Sequence, residues 1–262
     1  MHLPVYYVDA FTTRAFAGNP AAVCLLAGWL DDDFLRAVAA EINFSETAFL
    51  VPGGDHYELR WFTPRCEAKL CGHATLASAF VILKFLQPEL DLVRFETRFS
   101  GALTVSHDGS LLAMDFPSLP PWDCPVPPTE LIGGLGKTPA AVTQIEDNYF
   151  AVYEREADIK NIRPNFGLLE QLHPAGVAIT APGDDADFVS RYFAPSYGVP
   201  EDPMTGSTHC SLAPYWAQRL GKTKLHARQI SERGGELWCE VVANRVVLKG
   251  SAVLTLEGKL LI

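Results

Sequence analysis

The sequence is short of positive charge. Against 31 Asp and Glu it sets 21 Lys and Arg, a formal net charge of −10 over 262 residues. Polyanions and anionic membrane surfaces are drawn to the opposite sign, so nucleic acid and membrane are excluded as main partners. A small acidic molecule is not excluded, because a local positive site can sit in a negative protein. Long apolar runs are missing as well. The longest helix-like one, from Ala74 to Leu83, contains Thr75 and Ser78 and stops at Lys84, too short to span a bilayer. The six cysteines, at 24, 66, 71, 124, 210 and 239, form no CxxC pair and no regular framework. The opening MHLPVYYVDAF has no basic segment leading into an apolar run, so no secretory signal is expected. Reduced thiols and a cytoplasmic location are the corresponding expectations. His56, His173, His209 and His226 show no ligand spacing with Cys or carboxylates, and no metal is expected.

What is present is the composition of a folded chain. Hydrophobic residues make up 48% and charged residues 20%, and a chain of this size can bury a core without staples. Strand and helix patterns alternate. Pro4 to Phe11 is β-branched and aromatic, Gly18-Asn19-Pro20 is a turn, and Ala21 to Leu26 is again apolar. Asp31-Asp32-Asp33 precedes Phe34, Leu35, Val38, Ala39 and Ile42 at helical spacing, and acidic residues suit the positive end of a helix dipole. Asn43 is expected to end that helix, with strands following over Thr47 to Val51 and Tyr57 to Phe62.

The strongest internal signal is a repeat. Arg60-Trp61-Phe62-Thr63-Pro64 returns as Arg191-Tyr192-Phe193-Ala194-Pro195, 131 positions on. Cys71-Gly72-His73 faces Thr205-Gly206-Ser207, and Gly101 to Val105 faces Gly235 to Cys239, both 134 positions on. Three ordered matches with one three-residue insertion point to two halves of like fold; the period is too long for a solenoid. Each copy reads strand, loop, Gly, apolar helix, hairpin. A Gly–polar pair opening a buried helix leaves backbone N–H groups pointing outward, an anion site. Two such starts related by pseudo-symmetry are expected to face each other across a cleft. Pro117 to Pro128, with six prolines, is the expected linker.

At these residues the chain resembles the PhzF-like phenazine-biosynthesis family, which shares the fold of diaminopimelate epimerase and the proline racemases. The matching stretches are VDAFTTRAFAGNPAAVCLL, NFSETAFL, RWFTPRCEAKLCGHATLASA, RYFAPSYGVPEDPMTGSTHCSLAPYW and RQISERGGELW, spread from residue 8 to residue 238. The resemblance implies an α+β protein of two pseudo-symmetric domains, each a mixed sheet or barrel wrapped around a central helix. The expected domains are residues 1–118, with a terminal strand at about 253–262 returning to the first, and residues 119–252. It also implies a homodimer.

The site residues come from the same resemblance. Taken alone, Glu46 reads as a solvated loop carboxylate; its match to the family's SE-T motif makes it the general acid/base. Such a group needs partial burial, so that it can take a proton and return it elsewhere. His73 alone reads as a cap or core histidine, and the resemblance makes it an active-site residue. Asp202 alone precedes a turn, and the resemblance places it at the substrate. Gly72, Gly206 and Ser207 become substrate-binding positions, with backbone N–H groups holding a carboxylate.

Related epimerases and racemases use a cysteine at each of two Gly-helix starts. Here the first is Cys71 and the second is Thr205. One thiol cannot supply a two-base inversion. The leading expectation is therefore a cofactor-independent isomerase that moves a proton within a small carboxylated substrate. A one-thiol racemase or epimerase using Cys71, and a non-catalytic binding protein on the same scaffold, are the competing readings.

Overall fold

The computed structural model describes residues 2–261. Two units emerge, Met1–Asp115 with Val247–Ile262, and Phe116–Val246. Among the described residues no helix is long and apolar enough to cross a membrane.

In the first unit, strand β1 (His2–Ala10) runs antiparallel to β2 (Asn19–Leu25), with Val8 opposite Ala21. Helix α1 (Asp32–Ile42) then carries the chain over to β3 (Glu46–Pro52), which lies parallel to β2. A parallel pair needs such a crossover. The Asp31 carboxylate accepts from the Asp33 N–H at 2.9 Å and caps α1. Asn43, at φ 58°, closes it in the left-handed conformation that Asn tolerates. Leu35, Val38 and Ala39 are its buried face. Strand β4 (Tyr57–Phe62) returns antiparallel to β3, and Leu92–Thr97 lies parallel to β4 after a second crossover.

That second crossover is helix α2 (Gly72–Val81). All its residues but Phe80 are buried, and it packs on β1, β2 and β3. A helix apolar all round belongs inside a core, as the sequence pattern requires. Burying one side chain such as Leu76 contributes about 1.5–3 kcal/mol. The terminal strand, Ala252–Leu261, pairs antiparallel with β1 along its length, from Ala10 opposite Ala252 to His2 opposite Leu261.

The second unit repeats this order of pairings. Ala141–Ile145 is antiparallel to Asn148–Val152, which is parallel to Gly176–Pro182. Gly176–Pro182 is antiparallel to Phe188–Ala194, which is parallel to Lys224–Gln229. The central helix of this unit is His209–Leu220. Its Trp216 stacks on Phe188 with centroids 5.8 Å apart and donates its indole N–H to the Thr180 hydroxyl at 3.0 Å. Each unit is thus a mixed sheet around a buried helix.

Candidate active site

In the first unit the sheet brings residues from three places to the start of α2. Gly18, at φ 65°, turns the chain into β2; a Cβ there would lie 2.1 Å from the Ala10 carbonyl oxygen, so no side chain fits. Asn19 follows, fully buried, and its Nδ2 donates to Nδ1 of His73 at 3.2 Å. Ser45 donates its hydroxyl to Asn19 Oδ1 at 3.4 Å and also lies 3.4 Å from His73 Nε2. Glu46, the first residue of β3, puts Oε2 3.4 Å from the same Nε2. Cys71, the residue before α2, holds its Sγ 3.5 Å from His73 Nδ1.

This network assigns the histidine tautomer. If Asn19 Oδ1 accepts from Ser45, its amide N–H points at Nδ1, and the ring proton sits on Nε2 facing Glu46. Burial pushes the His73 pKa down to about 3, so the ring is neutral at neutral pH. With the ring neutral, the 3.4 Å approach of His73 Nε2 to Glu46 Oε2 is not an ion pair. The Glu46 side chain keeps 21% of its surface exposed while that of His73 keeps 5%. Glu46 and Ser45, both partly exposed, are the parts of this cluster that a solute can reach.

In the second unit, Asp202 and Thr205 form the matching construction. The Thr205 hydroxyl donates to the Asp202 carboxylate. Gln229 holds both: its Oε1 accepts from the Thr205 N–H at 3.0 Å, and its Nε2 donates to the Asp202 carbonyl at 2.7 Å. Thr208 donates to the Thr205 carbonyl at 2.8 Å, pinning the turn that enters the central helix. Gly206 in that turn is buried and Ser207 is exposed. Cys210 lies in the buried helix, where burial pushes its thiol up to about 12 and keeps it protonated.

The two copies differ at the position of Glu46. Thr47 pairs with Phe62, and Val177 pairs with Phe193. Phe62 and Phe193 are equivalent in the 131-residue repeat, so one residue earlier Glu46 is equivalent to Gly176. A Cβ on Gly176 would lie 2.0 Å from the Tyr192 hydroxyl oxygen. In the second unit the Tyr192 hydroxyl and Asn148 Oδ1 occupy the space a side chain would take at this position.

The structure thus brings Glu46, His73 and Gly72 together in one unit, and Asp202, Gly206 and Ser207 in the other. Sequence reasoning missed Asn19, Ser45, Thr205 as a hydrogen-bond donor, and Gln229. The motifs GNP, NFSET and RQIS contained three of them, but a turn reading of GNP hid the amide.

The family model of PhzC-PhzF, described as phenazine biosynthesis-like protein, matches residues 8–258. An uncharacterized isomerase of Pseudomonas aeruginosa is 50% identical over 260 residues, covering 99% of each chain. An uncharacterized isomerase of Halalkalibacterium halodurans is 47% identical over 266 residues, covering 100% of each. The crystal structure of a PhzF-family phenazine biosynthesis protein from Enterococcus faecalis superposes with a TM-score of 0.95 at 43% identity, covering 100% of both chains. A probable proline racemase from Agrobacterium radiobacter has a TM-score of 0.62 at 12% identity, covering 99% of this chain and 93% of that one, a likeness of fold alone.

Proposed function

The chain belongs to the PhzC-PhzF, phenazine biosynthesis-like, family and is an isomerase, and from that premise we propose that it moves a proton within a small carboxylated substrate with Glu46 as the sole acid/base. The observation that carries this reading is the partly exposed Glu46 side chain, whose Oε2 lies 3.4 Å from Nε2 of a buried neutral His73. In the proposed step the Glu46 carboxylate takes a proton from a carbon next to an unsaturated or carbonyl group. The C–H electron pair moves into the adjoining π system, a new double bond forms and the old one shifts. The carboxylic acid then returns the proton to the far end of that system. Atoms and electrons balance with no oxidant, no reductant and no cofactor. His73 donates its Nε2–H to the carboxylate while Glu46 is ionised, which keeps the base oriented. Backbone N–H groups at Gly72, Gly206 and Ser207 take the substrate carboxylate, and Asp202 orients a polar group of the substrate. The reading needs both units to act on one molecule.

Glu46→Gln tests it. Small unsaturated or keto acids are incubated in deuterated water and read by mass spectrometry. The variant should bind ligand and exchange nothing; exchange at the wild-type rate would reject Glu46 as the base.

One observation favours a second reading, the Cys71 Sγ 3.5 Å from His73 Nδ1, which resembles a thiol beside its base. A histidine whose pKa burial holds near 3 is a poor proton acceptor, which weighs against it. Cys71→Ala separates the two, since loss of exchange in that variant with Glu46→Gln still active would favour the thiol.

A further inference from the structure

Glu46, Cys71 and His73 offer a carboxylate oxygen, a thiol sulfur and an imidazole nitrogen that all lie within 4.8 Å of one another. Among the described residues this is the one such grouping of three or more His, Cys and carboxylate donors. We propose that these three side chains bind one borderline divalent cation of the zinc type, and that its occupancy switches the proton-transfer reaction off. The first half stands on geometry alone, and the second rests on the function proposed above.

A mixed N, O and S set is one that zinc accepts, whereas magnesium and calcium take oxygen. Bonds of about 2.0–2.3 Å in a tetrahedron put neighbouring ligand atoms about 3.3–3.7 Å apart. The sulfur lies 3.9 Å from Nε2 and the carboxylate oxygen 3.4 Å from it. The same sulfur lies 3.5 Å from Nδ1, so a change of the Cys71 rotamer is what carries it to a cation held at Nε2. A neutral imidazole offers one ring-nitrogen lone pair to a metal. On binding, the S–H bond breaks, the S–metal bond forms and the thiol proton leaves to water, with no change of oxidation state. The ring proton shifts from Nε2 to Nδ1. The Asn19 amide turns so that Oδ1 accepts it, the kind of carbonyl support that metal-bound histidines ordinarily have. Three protein donors leave a fourth position for water or for a substrate carboxylate. With the cation in place, Glu46 gives one oxygen to the metal and its remaining lone pairs are far less basic, so it no longer takes a proton from carbon.

The test uses the full chain, stripped with chelator and titrated anaerobically with Co²⁺. A thiolate-to-cobalt charge-transfer band should rise, saturate at one equivalent and vanish when Zn²⁺ is added. Cys71→Ser and Cys71→Ala should lose it, each checked for folding by near-ultraviolet circular dichroism, whereas Cys66→Ser, which removes the exposed thiol, should keep it. Asn19→Ala should weaken Zn²⁺ binding about 10-fold or more. No band, a band that survives loss of Cys71, or a band that goes with Cys66 would overturn the site. Saturating Zn²⁺ should abolish solvent-deuterium exchange by the wild type, and undiminished exchange at full occupancy would overturn the switch. An active Glu46→Gln enzyme would instead sink the functional reading and leave the wild-type cobalt band to be judged on its own.

Discussion

Arg60 grips Glu67 with two parallel hydrogen bonds, Nε to Oε1 at 2.6 Å and Nη2 to Oε2 at 2.7 Å. The second unit builds the same clamp from Arg191 and Glu201, at 2.7 and 2.9 Å. In both units the guanidinium carbon lies 5.0 Å over a phenylalanine ring, Phe62 in one and Phe193 in the other. A planar fork that matches a carboxylate and also stacks on an aromatic face is work for Arg, not Lys. Each acid stands five residues before the glycine at its helix start, Gly72 or Gly206, so each clamp anchors the chain on its way into the central helix of its own unit.

The clamps are not equal in what their loss exposes. Arg191 also donates through Nη1 to the carbonyls of Ile159 and Ile162, at 3.0 and 2.9 Å. Arg191→Met strands an acid and two carbonyls, and the expected cost is about 3–5 kcal/mol. After Arg60→Met, Glu67 still has Arg98 at 3.0 Å, and the expected cost is about 1–3 kcal/mol. Urea unfolding followed by hydrogen exchange should show the second unit weakened more by its variant than the first by its own. The reverse order would contradict this account.

Asn19 selects the tautomer of His73. In Asn19→Asp the new carboxylate would favour a proton on Nδ1, leaving an Nε2 lone pair facing Glu46 unless the ring is also protonated there. A buried anion beside the ring should raise the His73 pKa well above its wild-type value near 3. Turnover should fall by about 10-fold or more, since a wrong tautomer disables an acid/base pair. Titration of the ring by NMR checks the first effect and deuterium exchange the second.

Gln229 satisfies a buried N–H, a carbonyl and a hydroxyl at once, the last being Thr205 Oγ1 at 3.2 Å from its Nε2. Gln229→Leu keeps much of the volume and removes all three bonds. Each orphaned buried group costs about 1–3 kcal/mol. The melting temperature should drop, and the Asp202–Gly206 segment should lose hydrogen-exchange protection, whereas α2 in the first unit should keep its own. Uniform loss in both units would point to general unfolding and against a local brace.

Much of the fold was legible because its signals are local. The Arg60-Trp61-Phe62 motif and its echo at 191 mark equivalent strands, and the apolar runs after Gly72 and Gly206 could only be buried helices. The site was less legible. Asn19 sits in a Gly-Asn-Pro triplet whose turn chemistry explains an Asn without any further role. That its amide meets His73, 54 residues away, depends on the β1–β2 register. The Arg60–Glu67 and Arg191–Glu201 pairs were equally hidden, because neither acid belongs to the repeated pentapeptide. The vacancy at Gly176 emerges only from cross-strand pairing, since the sequence around it shows no likeness to Ser45-Glu46-Thr47.

Two buried histidines tie stability to pH. Burial lowers His73 from 6.5 to about 3 and His209 from 6.5 to about 4. Their folded-state values lie below the unfolded one, so between roughly pH 6.5 and 4 the unfolded chain binds protons that the folded chain refuses. Stability is complete above the unfolded value and is lost as pH falls toward the folded values. The limiting slope is about 1.4 kcal/mol per pH unit for each ring. The urea midpoint should accordingly fall between pH 7 and pH 5. His209 offers the cleaner test, because it stands outside the Glu46 cluster. Its Nδ1 lies 2.8 Å from the Thr205 carbonyl, and Gln can replace that contact with an amide N–H. His209→Gln should lower stability at pH 7 yet flatten the fall toward pH 5. A variant whose urea midpoint keeps the full wild-type slope would show that this ring takes up its proton without unfolding.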